Sequence, residues 1–434
     1  MRRIEEYFEF ARLGTTWRQE AVAGFTTFLT MAYIIFVNPA ILADAGMPPA
    51  AVTAATCVSA GLASILMGAV ARYPIAMAPG MGLNAYFAYG VVKGMGVPWE
   101  TALGAVFLSG VAFLALTALG VRRWIVESIP RPLYSAVAVG IGLFIALIGL
   151  KNAGIVKAHP ATLLTLGNLA APETLLALGG LVVTGALLVR GVRASILIGA
   201  GVTTAASAAL GLTKMAGGAP PLEALGQTAF HLNIGGAFSL GLAEIVFAFL
   251  FVDLFDNLGT LLAVASRAGL IGKDGSIPRI ERILAADSVA TVAGSLAGTS
   301  TVVSYIESAA GVAAGGRTGV TAIVTGLLFL ASLFLAPLLG VIPAAATAPA
   351  LILVGALMMA HAAEIDWNDL VSAIPAFLTI IAIPMTFSIA NGLALGFLSY
   401  TVLGLLTGRG RQVSPFVYVL AAILLARFLY LGSG

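Results

Sequence analysis

Charge is scarce in this sequence: of 434 residues, 22 are basic and 19 acidic, 9% together, while 60% are apolar. That scarcity excludes an ordinary water-soluble domain, whose surface needs roughly a quarter to a third charged side chains. Lipid removes the requirement, because apolar side chains can face outward, so the composition reads as a polytopic membrane protein. The net charge of +3 is small, and no basic patch is interleaved with aromatics, so nucleic acid is not an expected partner. Cysteine is nearly absent. The single Cys57 sits in an apolar run, cannot form an intrachain disulfide, and reads as a small buried hydrophobe. The three histidines, His159, His231 and His361, are scattered and lack metal-ligand spacing. No metal or other cofactor is therefore expected. No Ser/His/Asp or His/Glu arrangement lies at membrane depth, which argues against an enzyme. The first 18 residues mix Arg2, Arg3, Arg12 and Arg18 with Glu5, Glu6 and Glu9. They are followed by an apolar run too long for a cleavable signal.

What is abundant is apolar stretches of membrane length, about 20 residues each. Breaks at Pro, Gly and charge place segments near 21–42, 50–70, 74–92, 99–120, 131–150, 173–190 and 194–211. After a more polar connection, 212–238, come 239–265, 283–298, 299–316, 317–340, 346–361, 368–387 and 389–407. That makes fourteen, with a further apolar stretch at 414–432 that is either a fifteenth helix or one lying in the interface. With the N-terminus in the cytoplasm, 17 of the 22 basic residues fall on the inner side. Only Lys93, Lys151, Lys157 and Lys214 fall outside, and Arg427 lies in the unassigned tail. That is the bias expected of a multi-pass protein of the plasma (inner) membrane.

Two segments are unlike the rest. The third opens Tyr73-Pro74-Ile75-Ala76-Met77-Ala78-Pro79-Gly80-Met81-Gly82, and the tenth opens Thr299-Ser300-Thr301-Val302-Val303-Ser304. Two prolines and two glycines disfavour helix in the first, and β-branched and hydroxyl residues favour an extended strand in the second. Each opening precedes a short helix-like piece, Leu83 to Val92 and Tyr305 to Ala314. If the chain divides at 212–238, both stand third in their halves. Matched interrupted segments point to a transporter's binding site. An odd number of crossings per half makes the repeat inverted. Extended backbone at membrane depth must be buried and paired, so two short antiparallel strands are expected to face each other at the midplane. The helix starts that follow would aim partial positive charge into one cavity. Ordinary Gly/Pro kinks are the alternative.

Five carboxylates lie within spans: Glu244, Asp253, Asp256, Asp287 and Glu307. Each costs several kcal/mol in hydrocarbon and so needs a reason. Asp253 and Asp256, three apart, share one helical face near mid-membrane. No Lys or Arg lies in a span to neutralise them, which leaves protons, a bound cation or the N–H donors of a substrate. A hydrogen-bonded pair between helices is the structural alternative. Glu307 falls in the first turn of the second broken helix, and Asn84 is expected in the analogous place after the first break. An amide and a carboxylate in an apolar pocket suit a neutral, planar guest rich in N–H donors. The 2-amino and N1–H edge of guanine matches a carboxylate in bidentate fashion. Glu244, near a span end, reads as solvated, and Asp287 divides evenly between tying helices together and ion coupling. Gly80-Met81-Gly82 lacks the context of a phosphate-binding loop.

The stretches Ala78-Pro79-Gly80-Met81-Gly82-Leu83-Asn84-Ala85-Tyr86-Phe87, Phe251-Val252-Asp253-Leu254-Phe255-Asp256 and Glu307-Ser308-Ala309-Ala310-Gly311 resemble the hypoxanthine/guanine/adenine permease branch of the nucleobase–cation symporter-2 family. So do Thr26-Thr27-Phe28-Leu29-Thr30-Met31-Ala32-Tyr33 and Ile374-Pro375-Ala376-Phe377-Leu378-Thr379. The resemblance implies the seven-plus-seven inverted repeat of uracil permeases, with repeats at 1–211 and 239–407, a connection at 212–238 and an apolar tail at 408–434. It implies a core domain of segments 1–4 and 8–11 moving against a gate domain of segments 5–7 and 12–14, and a homodimer. It implies import of purine bases by symport with H⁺, or with Na⁺. It places Asn84, Asp253 and Glu307 at the substrate, with main-chain groups near Ala78 and Ser304 completing the site. Asp253, Asp256 and Asp287 are expected to carry the coupling. Asn257 stands where the branch is expected to carry Thr or Ser. An anion transporter of the same fold, or a uracil- or xanthine-selective permease, are the competing readings.

Overall fold

A computed structural model describes residues 2–120, 128–212, 221–238, 243–271, 277–334 and 342–430. The chain is mostly helical, and each of the fourteen expected segments contains a helix. In chain order the principal elements of the first half are α1 (Trp17–Met31), α2 (Ile34–Ala43), α3 (Pro49–Leu66), β1 (Met77–Pro79), α4 (Met81–Ala85), α5 (Trp99–Ala118), α6 (Arg131–Asn152), β2 (Val156–His159), β3 (Leu163–Leu166), α7 (Pro172–Val189) and α8 (Ser195–Ala209). Those of the second half are α9 (Ala243–Arg267), α10 (Ile280–Ala297), β4 (Val302–Ser304), α11 (Ser308–Ala313), α12 (Gly319–Ala331), α13 (Ala344–Met358), α14 (Leu370–Thr386), α15 (Ile389–Leu406) and α16 (Pro415–Tyr430). Helix starts follow local chemistry. Thr16 and Ser388 accept backbone N–H bonds at the heads of α1 and α15, and proline occupies the first turn of α3, α6 and α7.

Among the described residues, eight helical stretches are long and apolar enough to cross a bilayer unaided. Four shorter apolar helices join them: 195–209, 319–334, 370–386 and 415–426. The two broken segments and α10, which carries Glu281, Arg282 and Asp287, fall outside both groups. The tail stretch is a helix packed on α15, with Val417, Leu420, Ala421 and Leu424 buried. One element was not expected. The loop after α6 forms an exposed antiparallel hairpin of β2 and β3, pairing Val156 with Leu166 through His159 with Leu163. His159 closes its turn, its Nδ1 accepting from the N–H groups of Ala161 and Thr162 at 3.3 Å. Cys57 is fully buried, as its apolar surroundings imply.

The expected strands form and pair. β1 and β4 run antiparallel, with Met77 opposite Ser304, Ala78 opposite Val303 and Pro79 opposite Val302. The ladder continues at both ends: the N–H of Gly80 donates to the carbonyl of Thr301 at 2.9 Å, and that of Tyr305 donates to Ala76 at 3.0 Å. These two bonds exchange under the operation that swaps the strands. The helix packing obeys the same exchange. The contact of α3 with α12 is matched by α10 with α5, and α1 with α12 by α9 with α5. Likewise α6 with α14 is matched by α13 with α7, and α7 with α8 by α14 with α15. Such a pattern is what an internal inverted repeat produces. The strands sit at its centre, where their backbone is sealed from solvent.

Candidate functional site

Neighbouring helices hold the crossed strands through hydroxyl groups. Ser64 on α3 accepts from the N–H of Met77 at 2.9 Å and lies 3.1 Å from its carbonyl. On the opposite side, the hydroxyl of Thr291 on α10 lies 3.0 Å from the carbonyl of Val302. Met77 and Val302 each open their strand, so the two anchors are counterparts. The hydroxyl of Tyr305 donates to the carbonyl of Pro79 at 2.5 Å, and the N–H of Ala76 donates to Ser308 at 3.0 Å. Every polar group of a strand at this depth needs such a partner.

Glu307 sits at the head of α11, and the hydroxyl of Tyr33, in the break between α1 and α2, donates to its Oε1 at 2.5 Å. Asp256 on α9 lies within electrostatic reach of Glu307, and both act on Tyr305. Among the described residues, neither carboxylate is ion-paired with a lysine or arginine. Asn84 is fully buried in α4, and the hydroxyl of Ser300 donates to its Oδ1, while its Nδ2 finds no hydrogen-bond partner among the described residues. Ser304 is buried too, with its hydroxyl unpartnered in the same sense. Ala78 lies in the strand opposite Val303. The heads of α4 and α11 thus follow the two paired strands, with Asn84 buried in the first and Glu307 half-buried at the second.

Asp253 and Asp287 are set differently. Asp253, one turn before Asp256, is buried, and the Thr291 hydroxyl that serves Val302 lies 3.3 Å from its Oδ2. It stands behind β4. Asp287 is fully buried on α10, one turn before Thr291. The ladder also corrects the match between the two helix heads. Its register makes Gly82, not Asn84, the counterpart of Glu307, so Asn84 enters half a turn deeper. Gly82 is where α4 closes on α6: a Cβ there would stand 2.4 Å from the side chain of Ile141. Asn257, the departure from the branch, is fully buried, and neither amide atom is bonded among the described residues. The side chain of Glu244 lies outside the described residues.

Reading the residues one at a time overlooked Tyr33, Tyr305, Ser300, Thr291, Ser64 and Glu20. Tyr33 closes the Thr26–Tyr33 stretch, whose hydroxyl-rich pattern was the available signal. Glu20 lies just before the first expected span, at 21–42. It is fully buried, and its carboxylate accepts from the hydroxyls of Thr15 (2.7 Å) and Thr321 (2.6 Å) and from the N–H groups of Arg317 (3.0 Å), Thr318 (3.3 Å) and Thr321 (3.2 Å). It caps α12 from the first turn of α1.

Comparisons with known proteins bear on the family and the fold. The model of the Permease family, the xanthine/uracil permease type, matches residues 18–395. The chain is 55% identical to a putative permease of Methanocaldococcus jannaschii over the full length of both. It is 46% identical to the adenine permease AdeP of Escherichia coli, covering 99% of this chain and 97% of that one. It is also 46% identical to the guanine/hypoxanthine permease PbuG of Bacillus subtilis, covering 99% and 100%. Among solved structures, the transmembrane domain of a cyanobacterial bicarbonate transporter, BicA, superposes with a TM-score of 0.64 at 16% identity, covering 88% of this chain and 98% of that one. The murine anion transporter Slc26a9, in its inward-facing state, gives 0.67 at 12%, covering 91% and 69%. At such identities these two speak to the fold alone. On its sequence matches, the chain belongs to the nucleobase–cation symporter-2 family of permeases, in the branch that holds the adenine and guanine/hypoxanthine permeases.

Proposed function

We propose that this protein imports purine nucleobases (guanine and hypoxanthine, with adenine a further candidate) by cation symport with alternating access. The observation that carries the reading is Glu307 at the head of one half-helix, oriented by Tyr33, with a strand pair joining that half-helix to the one that holds the buried amide of Asn84. A carboxylate so placed accepts from two adjacent N–H donors of a purine, while Asn84 and the main chain near Ala78 and Ser304 serve the rest of the ring. The relatives named for adenine, guanine and hypoxanthine support the same class.

The coupling ion on this reading is H⁺, with Na⁺ the other candidate. A proton neutralises Asp253 or Asp256, and Asp287 lies on the same route. The proton removes one buried charge, and the N–H donors of the base solvate the carboxylate of Glu307, so the loaded site crosses at lower cost than the empty one. The moving parts are a core of segments 1–4 and 8–11 and a gate of segments 5–7 and 12–14, from repeats at 1–211 and 239–407 joined by 212–238 and followed by 408–434. Packing within each set is denser than between them, which supports a sliding boundary. The protein is placed in the plasma (inner) membrane as a homodimer with its N-terminus in the cytoplasm. An anion carrier of the same fold would need a positive group at the helix heads. Glu307 and Asp256 supply the opposite sign, which disfavours that reading.

The test is uptake of labelled guanine, hypoxanthine, adenine and uracil into proteoliposomes, with and without a pH or sodium gradient. Gradient-driven accumulation of a purine is expected, and uptake of uracil alone would overturn the assignment.

A further inference from the structure

Away from this site, at the face that holds the N-terminus, three arginines converge on one carboxylate. Glu9 pairs with Arg12, with Arg72 at 3.5 Å and with Arg279 at 3.1 Å. Arg72 ends the turn after α3 and Arg279 precedes α10, so segments far apart in sequence meet here. The backbone is bent to achieve it. Glu9, Arg72 and Arg279 have φ of 59°, 61° and 59°, the left-handed region that non-glycine residues rarely adopt. Residues held this way at cost cluster where a site must be shaped.

Among the described residues, three guanidinium groups against one carboxylate leave an excess of two positive charges at an open cavity of about 420 Å³. The Arg72 and Arg279 side chains are only 21% and 18% exposed. The Nε of each is buried and without a hydrogen-bond partner among the described residues. Tyr7 and Tyr73 lie under the two guanidinium planes, with ring centroids 4.9 Å and 5.6 Å away, and hold them in place. Burial, and next to it the charge of Arg72, push the Arg279 guanidinium below its ordinary proton affinity, with Glu9 acting against the shift. Leu270 and Ile271 give the same cavity an apolar wall.

We propose that this pocket binds a phosphate group, with the arginines gripping its oxygens and the apolar wall taking the body that carries it. Planar guanidinium forks suit phosphate oxygens, and three arginines that share one carboxylate retain donor groups for such an acceptor. The same chemistry comes from two sources, an anionic phospholipid headgroup at the membrane surface or a soluble phosphate compound. The site is separate from the carboxylate region and stands whether or not the cargo is a purine.

The experiment uses full-length purified protein. In neutral detergent it is titrated with inorganic phosphate against chloride at matched ionic strength, reading the apparent unfolding temperature and bound phosphate. In nanodiscs, retention of phosphatidic acid is compared with that of phosphatidylcholine. Wild type binds one or both probes. Arg12→Gln, at a largely exposed position whose loss leaves the fold intact, weakens binding about tenfold. Glu9→Gln, which removes the competing carboxylate, tightens it. Opposite signs from two neutral replacements cannot both come from loss of structure. A response to inorganic phosphate identifies a soluble source, and one confined to phosphatidic acid identifies a lipid. Equal behaviour of all three proteins, or binding by none, overturns the proposal.

Discussion

Tyr33 and Glu307 are 274 positions apart and meet in a hydrogen bond of 2.5 Å. One belongs to the break between the first two helices and the other to the head of α11, so the contact ties the first segment to the tenth. A carboxylate held by a phenol keeps one rotamer and one free oxygen edge, the pre-organisation a bidentate ligand needs. Tyr33→Phe keeps the ring and removes the donor. The expected outcome is a purine KM raised roughly tenfold, because a charge-assisted hydrogen bond is worth about 1.5–3 kcal/mol. Glu307→Gln replaces one acceptor oxygen with a donor and is expected to abolish saturable uptake. Initial rates in proteoliposomes check both, and wild-type kinetics in Tyr33→Phe would remove Glu307 from the site.

The strand pair predicts an asymmetry in stability. Ser64→Ala orphans both the N–H and the carbonyl of Met77, whereas Thr291→Val orphans the Val302 carbonyl and one contact of Asp253. Each unsatisfied buried group costs about 1–3 kcal/mol. Both variants are expected to melt below wild type in detergent, with Ser64→Ala at least as low as Thr291→Val. Because Thr291 also touches Asp253, only its replacement is expected to change the dependence of uptake on the ion gradient.

How far the residues foretold these contacts depends on the range of each cause. The broken segments were visible because prolines and glycines at 74–82 and β-branched residues at 301–303 act locally on backbone energy. The spans were visible because hydrocarbon thickness fixes their length. Partners across the repeat were not visible, since nothing local in Tyr33 or Ser300 says which element it will face. The role of Glu20 is invisible for the same reason: its partners are N–H groups 297 to 301 residues away. The match of Asn84 with Glu307 failed by two residues because ladder register is set by strand pairing. The hairpin at 156–166 lies between two expected spans, and the only local sign of it is that Val156-Lys157-Ala158-His159 alternates in side-chain character.

Glu20 gives a third prediction. Its carboxylate satisfies three N–H groups at the head of α12 and adds negative charge where the helix dipole favours it. Glu20→Gln turns one acceptor into a donor facing those N–H groups, and Glu20→Ala removes both acceptors. Losses of about 1–3 kcal/mol and more are expected in that order, read as lower unfolding temperatures. Transport at permissive temperature is expected to survive in Glu20→Gln, since the residue lies outside the proposed site. Loss of uptake in a protein of unchanged stability would instead place Glu20 in the ion path.

Gly259 marks the contact between the proposed core and gate. It follows Asp256 by one turn on α9, and a Cβ at this position would stand 1.7 Å from the hydroxyl and 3.0 Å from Cζ of Tyr134 on α6. A side chain fits only if the Tyr134 ring moves aside or the helices part. Gly259→Ala is therefore expected to cut the uptake rate at least about tenfold, the more so if α6 and α9 must slide past each other in each cycle. Truncating the obstacle tests the cause: Tyr134→Phe removes the clashing hydroxyl but leaves a tight 3.0 Å contact, so the double variant should recover only part of the rate. If Tyr134→Phe restores nothing, the defect lies in glycine's backbone freedom and not in the clash. If Gly259→Ala transports as wild type does, α6 does not pack here during turnover, and the boundary between moving parts must be drawn elsewhere.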